Sequence, residues 1–309
     1  MKNPKFSSEI YFWRHHGSVI NAIIVKVIWC TLFSVFVEIA HEFDLFKSWP
    51  LINMIPNILL GLLLSFRTTT AYERFWEGRK LWGTLVNNVR NLSRDIWVTV
   101  EEIEQPKDRD SKVATLRLLV AFAVSTKFNL RGERVNNELE ELLTSERYEK
   151  LKYMNNPPLE VAFWIGDYLQ EQYERNCLNS YQLNALKQLL NSMVDCLGGC
   201  ERIQKTPIPL AYAIHLNQIL FIYCLFLPLQ MVEILHWLSI PMVALVSFIL
   251  FGIEEIGNQL DNPFGTAPND LPLDAICATI RRNIEDLISL APTVRDWKKR
   301  SQESASIMD

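Results

Sequence analysis

No sign of charge dominates this sequence: 31 Lys and Arg against 35 Asp and Glu leave a formal net charge of −4. A basic face able to neutralise a phosphate backbone is not encoded, which sets nucleic acid aside as a partner. Catalytic signatures are missing as well. There is no HExxH, GxSxG, P-loop or GxGxxG, so neither an enzyme nor a cofactor is expected. None of Cys30, Cys177, Cys196, Cys200, Cys224 and Cys277 forms a CxxC pair. Cys196 and Cys200 are one helical turn apart but have no histidine near them in sequence to complete a zinc site, so the cysteines read as small packing residues. Histidine is scarce too, and His15, His16, His41, His215 and His236 include no pair at helical ligand spacing. His15 and His16 are expected at headgroup level, and His215 in a helix interface, with a proton relay as its sharper alternative.

What the chain has instead is hydrophobicity in blocks. Residues 18–40, 51–66, 209–235 and 237–253 are nearly free of charge, whereas 67–207 carry most of it, which implies two solvents. The first run, SVINAIIVKVIWCTLFSVFVEIA, has the roughly 20 residues a helix needs to cross a hydrocarbon core. It outlasts a signal sequence without a small-residue cleavage site and reads as a retained span. Lys26 inside it must face protein or water, or snorkel, and Glu38 is expected where the helix leaves the bilayer. The second run, LINMIPNILLGLLLSF, would reach only about 24 Å, so its helix must borrow a polar continuation or line a wet interior. The third interleaves His215, Asn217, Gln218 and Gln230 with bulky apolar residues and is expected to pack among other helices. A tight hairpin leads into the fourth.

Basic residues set the orientation. Lys2, Lys5 and Arg14 precede the first run, Arg67, Arg74, Arg79 and Lys80 follow the second, Arg202 and Lys205 precede the third, and Arg281 and Arg282 follow the fourth. The two opposite loops carry only Lys47, which places both termini and the charged segment in the cytosol. The expectation is an all-α, multi-pass protein of the cell membrane with four transmembrane helices and the lipid bilayer as partner. Its parts are 1–66 (N-terminal segment and two spans), 67–207 (cytosolic helical domain), 208–256 (two spans) and 257–309 (C-terminal cytosolic segment). Within 67–207 the helix of the second span continues, with Phe75, Trp82, Val86 and Val89 near one face. EEIEQPKDRDSK reads as a linker, and helical patterns resume over 111–131, 133–153, 158–176 and 180–204. Arg67, Glu73, Arg74, Glu77, Arg79 and Lys80 form a charge cluster read as pairing along a helix surface, such as Arg74 with Glu77, with an ion vestibule at Arg67 as the alternative.

Ile58, Leu62 and Phe66 recur every four residues and so form one stripe on the second helix, a pattern that by itself fits a lipid-facing or core surface. Three longer stretches carry more: SFRTTTAYERFWEGRKLWGTLVNNVRNLSRD after the second run, TPIPLAYAIHLNQ opening the third, and NQLDNPFGTAPNDLPLD after the fourth. Together, in this order, they resemble the bestrophin channels of the prokaryotic or plant-type branch, over nearly the whole chain. The resemblance implies a homopentamer around one pore, whose narrow apolar neck would be Ile58, Leu62 and Phe66. It also implies a cytosolic aperture at Tyr181 or the nearby Leu178. Animal members hold calcium in a clasp after NPFG. Gln259, Asn262 and Asp270 keep part of that pattern, but Ala267 stands at a carboxylate position. Calcium takes 6–8 oxygen ligands, several of them charged, so no metal and no calcium gating are expected. Permeant ions are the implied partners, chloride or bicarbonate first, with monovalent cations such as sodium as the alternative. Outside the resemblance stand a secondary transporter coupled through Lys26, Glu38 and His215, and a non-conducting scaffold.

Overall fold

The computed structural model describes residues 18–43 and 54–290, and the regular elements among them are helices throughout. In chain order these are α1 (Ile20–Glu42), α2 (Met54–Thr99), α3 (Lys107–Arg131), α4 (Asn137–Glu140), α5 (Ser145–Leu151), α6 (Pro157–Glu174), α7 (Ser180–Lys205), α8 (Leu210–Leu235), α9 (Ser239–Asp261) and α10 (Leu273–Ser289). A 3-10 turn, His236–Leu238, makes the expected tight hairpin between α8 and α9. Lys2, Lys5, Arg14, His15, His16 and Lys47 lie outside the described residues. The chain divides into two compact units, one of Met1–Glu77 with Thr206–Asp270 and one of Gly78–Lys205 with Leu271–Asp309. The single helix α2 supplies both.

In the first unit, α1, the start of α2, α8 and α9 share a core of Ile23, Val27, Cys30, Leu60, Leu64, Leu216, Leu220, Cys224, Leu227, Val243 and Phe251. The outside of this unit is as apolar as its inside. Val25, Ile28, Trp29, Leu32 and Phe36 of α1 and Leu245, Phe248 and Ile249 of α9 are all exposed. Water would penalise such a continuous surface, whereas a helix satisfies its own backbone polar groups and can present such a face to hydrocarbon. Pro228 sits inside α8, where it leaves the turn before it one hydrogen bond short, while Pro241 falls in the first turn of α9, where no such bond is lost.

The second unit has a buried core of its own. Trp82, Leu85, Val89, Leu92 and Ile96 repeat along α2 at three- and four-residue steps and are all buried. Leu273, Cys277, Ile280 and Ile284 do the same on α10. Asn136, Thr144 and Asn156 cap α4, α5 and α6 with side-chain oxygens, and Gly132, with φ +67°, ends α3 in the left-handed conformation.

Among the described residues, three helical stretches are long and apolar enough to cross a membrane: Ile20–Glu42, Lys107–Arg131, and Leu210–Asp261, whose 52 residues hold both α8 and α9. Lys107–Arg131 is α3, and 78% of its apolar window is buried within the protein, so it is a core helix. The start of α2 is not among the three, and the residues just before it, 44–53, lie outside the described ones.

The expected linker after α2 is a compact joint. Lys112 Nζ pairs with Glu102 Oε1 at 3.1 Å with both side chains enclosed, and it also donates to the Val100 carbonyl. Asp108 accepts from the amides of Ile103 and Glu104 at 2.8 Å each and pairs with Arg175 at 2.8 Å. The Glu104 amide, then Arg175 and the Ile103 amide, outweigh burial and hold the Asp108 carboxyl below its ordinary pKa. A charge-rich stretch that would be a solvated loop is thereby folded inward.

Candidate functional site

The start of α2 has two sides. Leu60 and Leu64 are each 4% exposed and face the core, whereas Ile58, Leu62 and Phe66 are 66%, 47% and 59% exposed. Beside that apolar stripe runs a second one, Asn57, Gly61 and Ser65, also exposed and also at four-residue spacing. Tyr212 Oη donates to the Leu63 carbonyl at 2.8 Å, tying α8 to α2 at the level of the stripe.

Behind the stripe lies a chain of polar contacts that joins four helices. Lys26 of α1 donates to Asn217 of α8 at 3.4 Å and lies 3.8 Å from Glu254 of α9. Glu254, 2% exposed, accepts from Asn258 one turn on at 2.7 Å, and Asn258 accepts from Arg67 Nη2. Arg67 is 4% exposed, with its Cγ, Cδ and Nε against Gly257, and its enclosed Nε and Nη1 have no acceptor among the described residues. The residue read from the sequence as part of a solvated helix surface is thus a buried cation. Sequence reasoning missed its partners because Glu254 and Asn258 follow an apolar run and look like a helix leaving the membrane. Their i, i+4 spacing was the available signal.

Arg74 closes the same unit lower down, pairing with Asp261 Oδ1 at 2.8 Å and donating to the carbonyls of Asp261 and Thr206. Arg67, Arg74 and the Thr206–Pro209 approach to α8 wall a cavity of about 520 Å3. Glu38, 1% exposed, accepts from Ser239 Oγ at 3.4 Å at the start of α9. Lys26 and Glu38 are thus each engaged within the fold. His215 and Gln218 lie on the exposed face of α8, so His215 is not packed in an interface within the chain. The hairpin brings His41 and His236 to a ring-centroid distance of 6.3 Å, a proximity that sequence spacing does not reveal.

Of the two aperture candidates, Tyr181 is 87% exposed and Leu178 only 4%. Tyr181 stands in the first turn of α7, which is fixed by a reciprocal cap: Gln182 N donates to Asn179 Oδ1 and Asn179 N to Gln182 Oε1, both at 2.9 Å. The calcium-clasp remnants are spent on their own loop. Gln259 donates to Glu255 at 3.0 Å and accepts from Asn269 at 2.7 Å, Asn262 accepts from Phe264 N at 3.4 Å, and Asp270 accepts from Ala267 N at 2.7 Å. A β-carbon on Gly265 would come within 2.5 Å of Asp270 Oδ2, so any side chain there would push that carboxylate away from Ala267 N. Among the described residues no group of three or more His, Cys, Asp or Glu is placed to hold a metal ion. None of the six cysteines is in a disulfide and all are buried, and burial pushes the Cys277 thiol up to about 12.

The sequence model of the family described as Bacterial/Fungal Bestrophin protein matches residues 2–286. The chain belongs to the bestrophin family. Two bestrophin relatives are named voltage-dependent anion channel-forming proteins. The one from Nostoc sp. is 62% identical over 280 residues, 90% of this chain and 91% of its own, and the one from Synechocystis sp. is 53% identical over 292 residues, 94% of each. Among solved structures, a bacterial bestrophin homologue from Klebsiella pneumoniae superposes with a TM-score of 0.79 at 29% identity, covering 87% of this chain and all of that one. A variant of that homologue with one tryptophan changed to alanine gives 0.81 at 30% identity, covering 89% of this chain and all of that one. The missing catalytic motifs agree with a bestrophin family whose relatives are described as channel-forming rather than as enzymes.

Proposed function

We propose that this bestrophin is the pore-forming subunit of an anion channel, assembled from five copies around one axis. α1, the start of α2, α8 and α9 are the four transmembrane helices, and the helical unit built on Gly78–Lys205 stands in the cytosol with both termini. Ile58, Leu62 and Phe66 line the neck, and Tyr181 rings the cytosolic aperture.

The observation that carries this is the exposed side of α2. An apolar stretch that ends at Phe66 is shorter than the roughly 20 residues a lipid-bathed span needs. Its exposed surface also includes Asn57, Gly61 and Ser65, and small and polar residues at membrane depth belong against other helices or water. Copies of α2 meeting through that small-residue stripe turn Ile58, Leu62 and Phe66 toward a common axis. Stacked apolar rings of this kind gate by dewetting and favour ions that shed water easily. Anions are the permeant class in the names of the two relatives above, and chloride or bicarbonate is the class proposed here.

Planar-bilayer recording in a salt gradient tests both parts. The combined variant Ile58→Ala, Leu62→Ala, Phe66→Ala is expected to raise single-channel conductance, and the wild-type reversal potential to lie toward the chloride equilibrium potential. Unchanged unitary current in the variant removes the neck, and a reversal toward the cation potential removes anion selectivity.

A further inference from the structure

We propose that His41 and His236 form a site for a divalent transition-metal cation of the zinc class, which clamps the end of α1 to the turn joining α8 and α9. The site does not depend on the function proposed above.

Both residues belong to the first unit, where the fold brings the two ends together. Their ring centroids are 6.3 Å apart, with the planes tilted by 33°. A zinc–nitrogen bond of about 2.0–2.1 Å, added to the reach from that nitrogen to the ring centre, lets two imidazoles on one ion have centroids roughly 5–6.5 Å apart. The observed spacing lies within that span. His41 is half-buried and His236 exposed, so the pair lies at the protein surface, within reach of an ion from outside.

The surroundings favour a cation. Glu38 and Glu42 stand at the same end of α1 as His41, and Glu233 is one turn before His236. Glu42 accepts from Trp237 Nε1 at 3.2 Å and Glu38 from Ser239 Oγ at 3.4 Å, which ties both carboxylates to the turn that carries His236 and the residue after it. α8, the turn and α9 contain no Lys or Arg, and α1 has only Lys26, about four helical turns from His41. His236 also holds φ +44° and ψ −133°, a backbone conformation that glycine would adopt at less cost. A strained backbone under a ligating side chain is a common mark of function.

Imidazole nitrogen selects the class of ion. Zinc, copper and nickel take it readily, whereas magnesium and calcium need oxygen ligands in numbers that this pair does not supply. Water fills the remaining positions, so a group of three protein ligands is not required. With half the usual complement of protein ligands, binding is reversible, with Kd roughly 10–100 µM.

The test uses untagged full-length protein in nanodiscs of zwitterionic lipid, titrated calorimetrically with ZnCl2. Saturable binding of one zinc per chain is expected. It should weaken about tenfold or more in His41→Gln and in His236→Gln alike, and should not change in His215→Gln or in excess MgCl2. Wild-type protein supplies a second measurement that does not depend on how the variants fold. Zinc should protect His41 and His236, and not His215, from carbethoxylation by diethyl pyrocarbonate, read by mass spectrometry. Unchanged zinc affinity in either folded variant, displacement by magnesium, or equal carbethoxylation of the two histidines with and without zinc each overturns the site. Conductance of the same preparations is a separate readout: conduction without zinc binding removes only this site, and zinc binding without conduction removes only the channel.

Discussion

Lys112 has no side-chain exposure and faces Glu102 at 3.1 Å, while Arg109 lies 4.0 Å from the same carboxylate, so the enclosed ammonium relies on Glu102 as its counter-charge. Removing one partner of such a pair costs about 3–5 kcal/mol, whereas replacing both with apolar residues of similar size is often neutral. Lys112→Met should therefore lower the unfolding temperature of the purified protein markedly, and adding Glu102→Leu should restore most of it. An unmoved transition in the single variant would show that water reaches the pair. A second residue-scale expectation concerns Asp274, which bridges Arg131 at 2.9 Å and Lys127 at 2.9 Å. Arg131 first, then Lys127, hold its carboxyl down to about 2 against the opposing effect of burial. The folded pKa is depressed, so the contribution is fully present above the unfolded value near about 4 and disappears as pH falls toward about 2. For Lys127, burial pulls the pKa down but Glu138 and Asp274 outweigh it, so its share is present below its ordinary pKa and lost only as pH rises through the raised one. Asp274 is 67% exposed, and water screens the pair, so the effect is small. In denaturant titrations, the stability difference between wild type and Asp274→Asn should be present at pH 6, be mostly lost near pH 2 and vanish below it. A difference that persists there rules out the ion pair as its source.

At the scale of the element, α3 is the instructive case, because its composition would let it cross a membrane and its position does not. Leu116, Leu119, Val120, Phe122 and Ala123 are all completely buried. A helix apolar all round is a core helix or a span, and periodicity does not separate the two. Phe122→Ala should cost about 3–5 kcal/mol as a core cavity, read as loss of folded protein in detergent. A lipid-facing Phe would lose far less. The sequence placed α3 correctly within the charged segment because basic and acidic residues flank it, and it placed α6 and α7 to within a residue or two because their caps and periods agree. It was silent where partners are distant in the chain. Arg67 looked like a solvated neighbour of Arg74 and Glu77, and only the packing of α9 against α2 shows that Gly257 and Asn258 receive it. The joint after α2 was opaque for the same reason, since charges that pair in a buried cluster are indistinguishable in one dimension from charges in water. The stripe of Ile58, Leu62 and Phe66 was visible as periodicity, but its exposure beside Asn57, Gly61 and Ser65 appears only once Leu60 and Leu64 are seen to take the core side.

For the whole molecule, the proposed pore exists only between copies, because one chain presents a single exposed strip of α2. If each ring of the neck is built from five side chains, changing some of them should widen it in steps. Wild-type and Phe66→Ala subunits, mixed during reassembly and recorded as single channels, should therefore give more than two conductance levels, with weights that shift smoothly as the mixing ratio is varied. A pore contained within one subunit would give only the two parental levels at every ratio. Leu178→Ala serves as the contrast, because Leu178 is 4% exposed within its own chain and its truncation should alter folding yield without creating intermediate current levels. Tyr181→Ala, at a side chain 87% exposed, should leave folding yield unchanged and alter current if its ring of copies frames the cytosolic mouth. Intermediate levels from Phe66 mixtures together with an unaltered Tyr181→Ala current would keep the neck and move the aperture elsewhere.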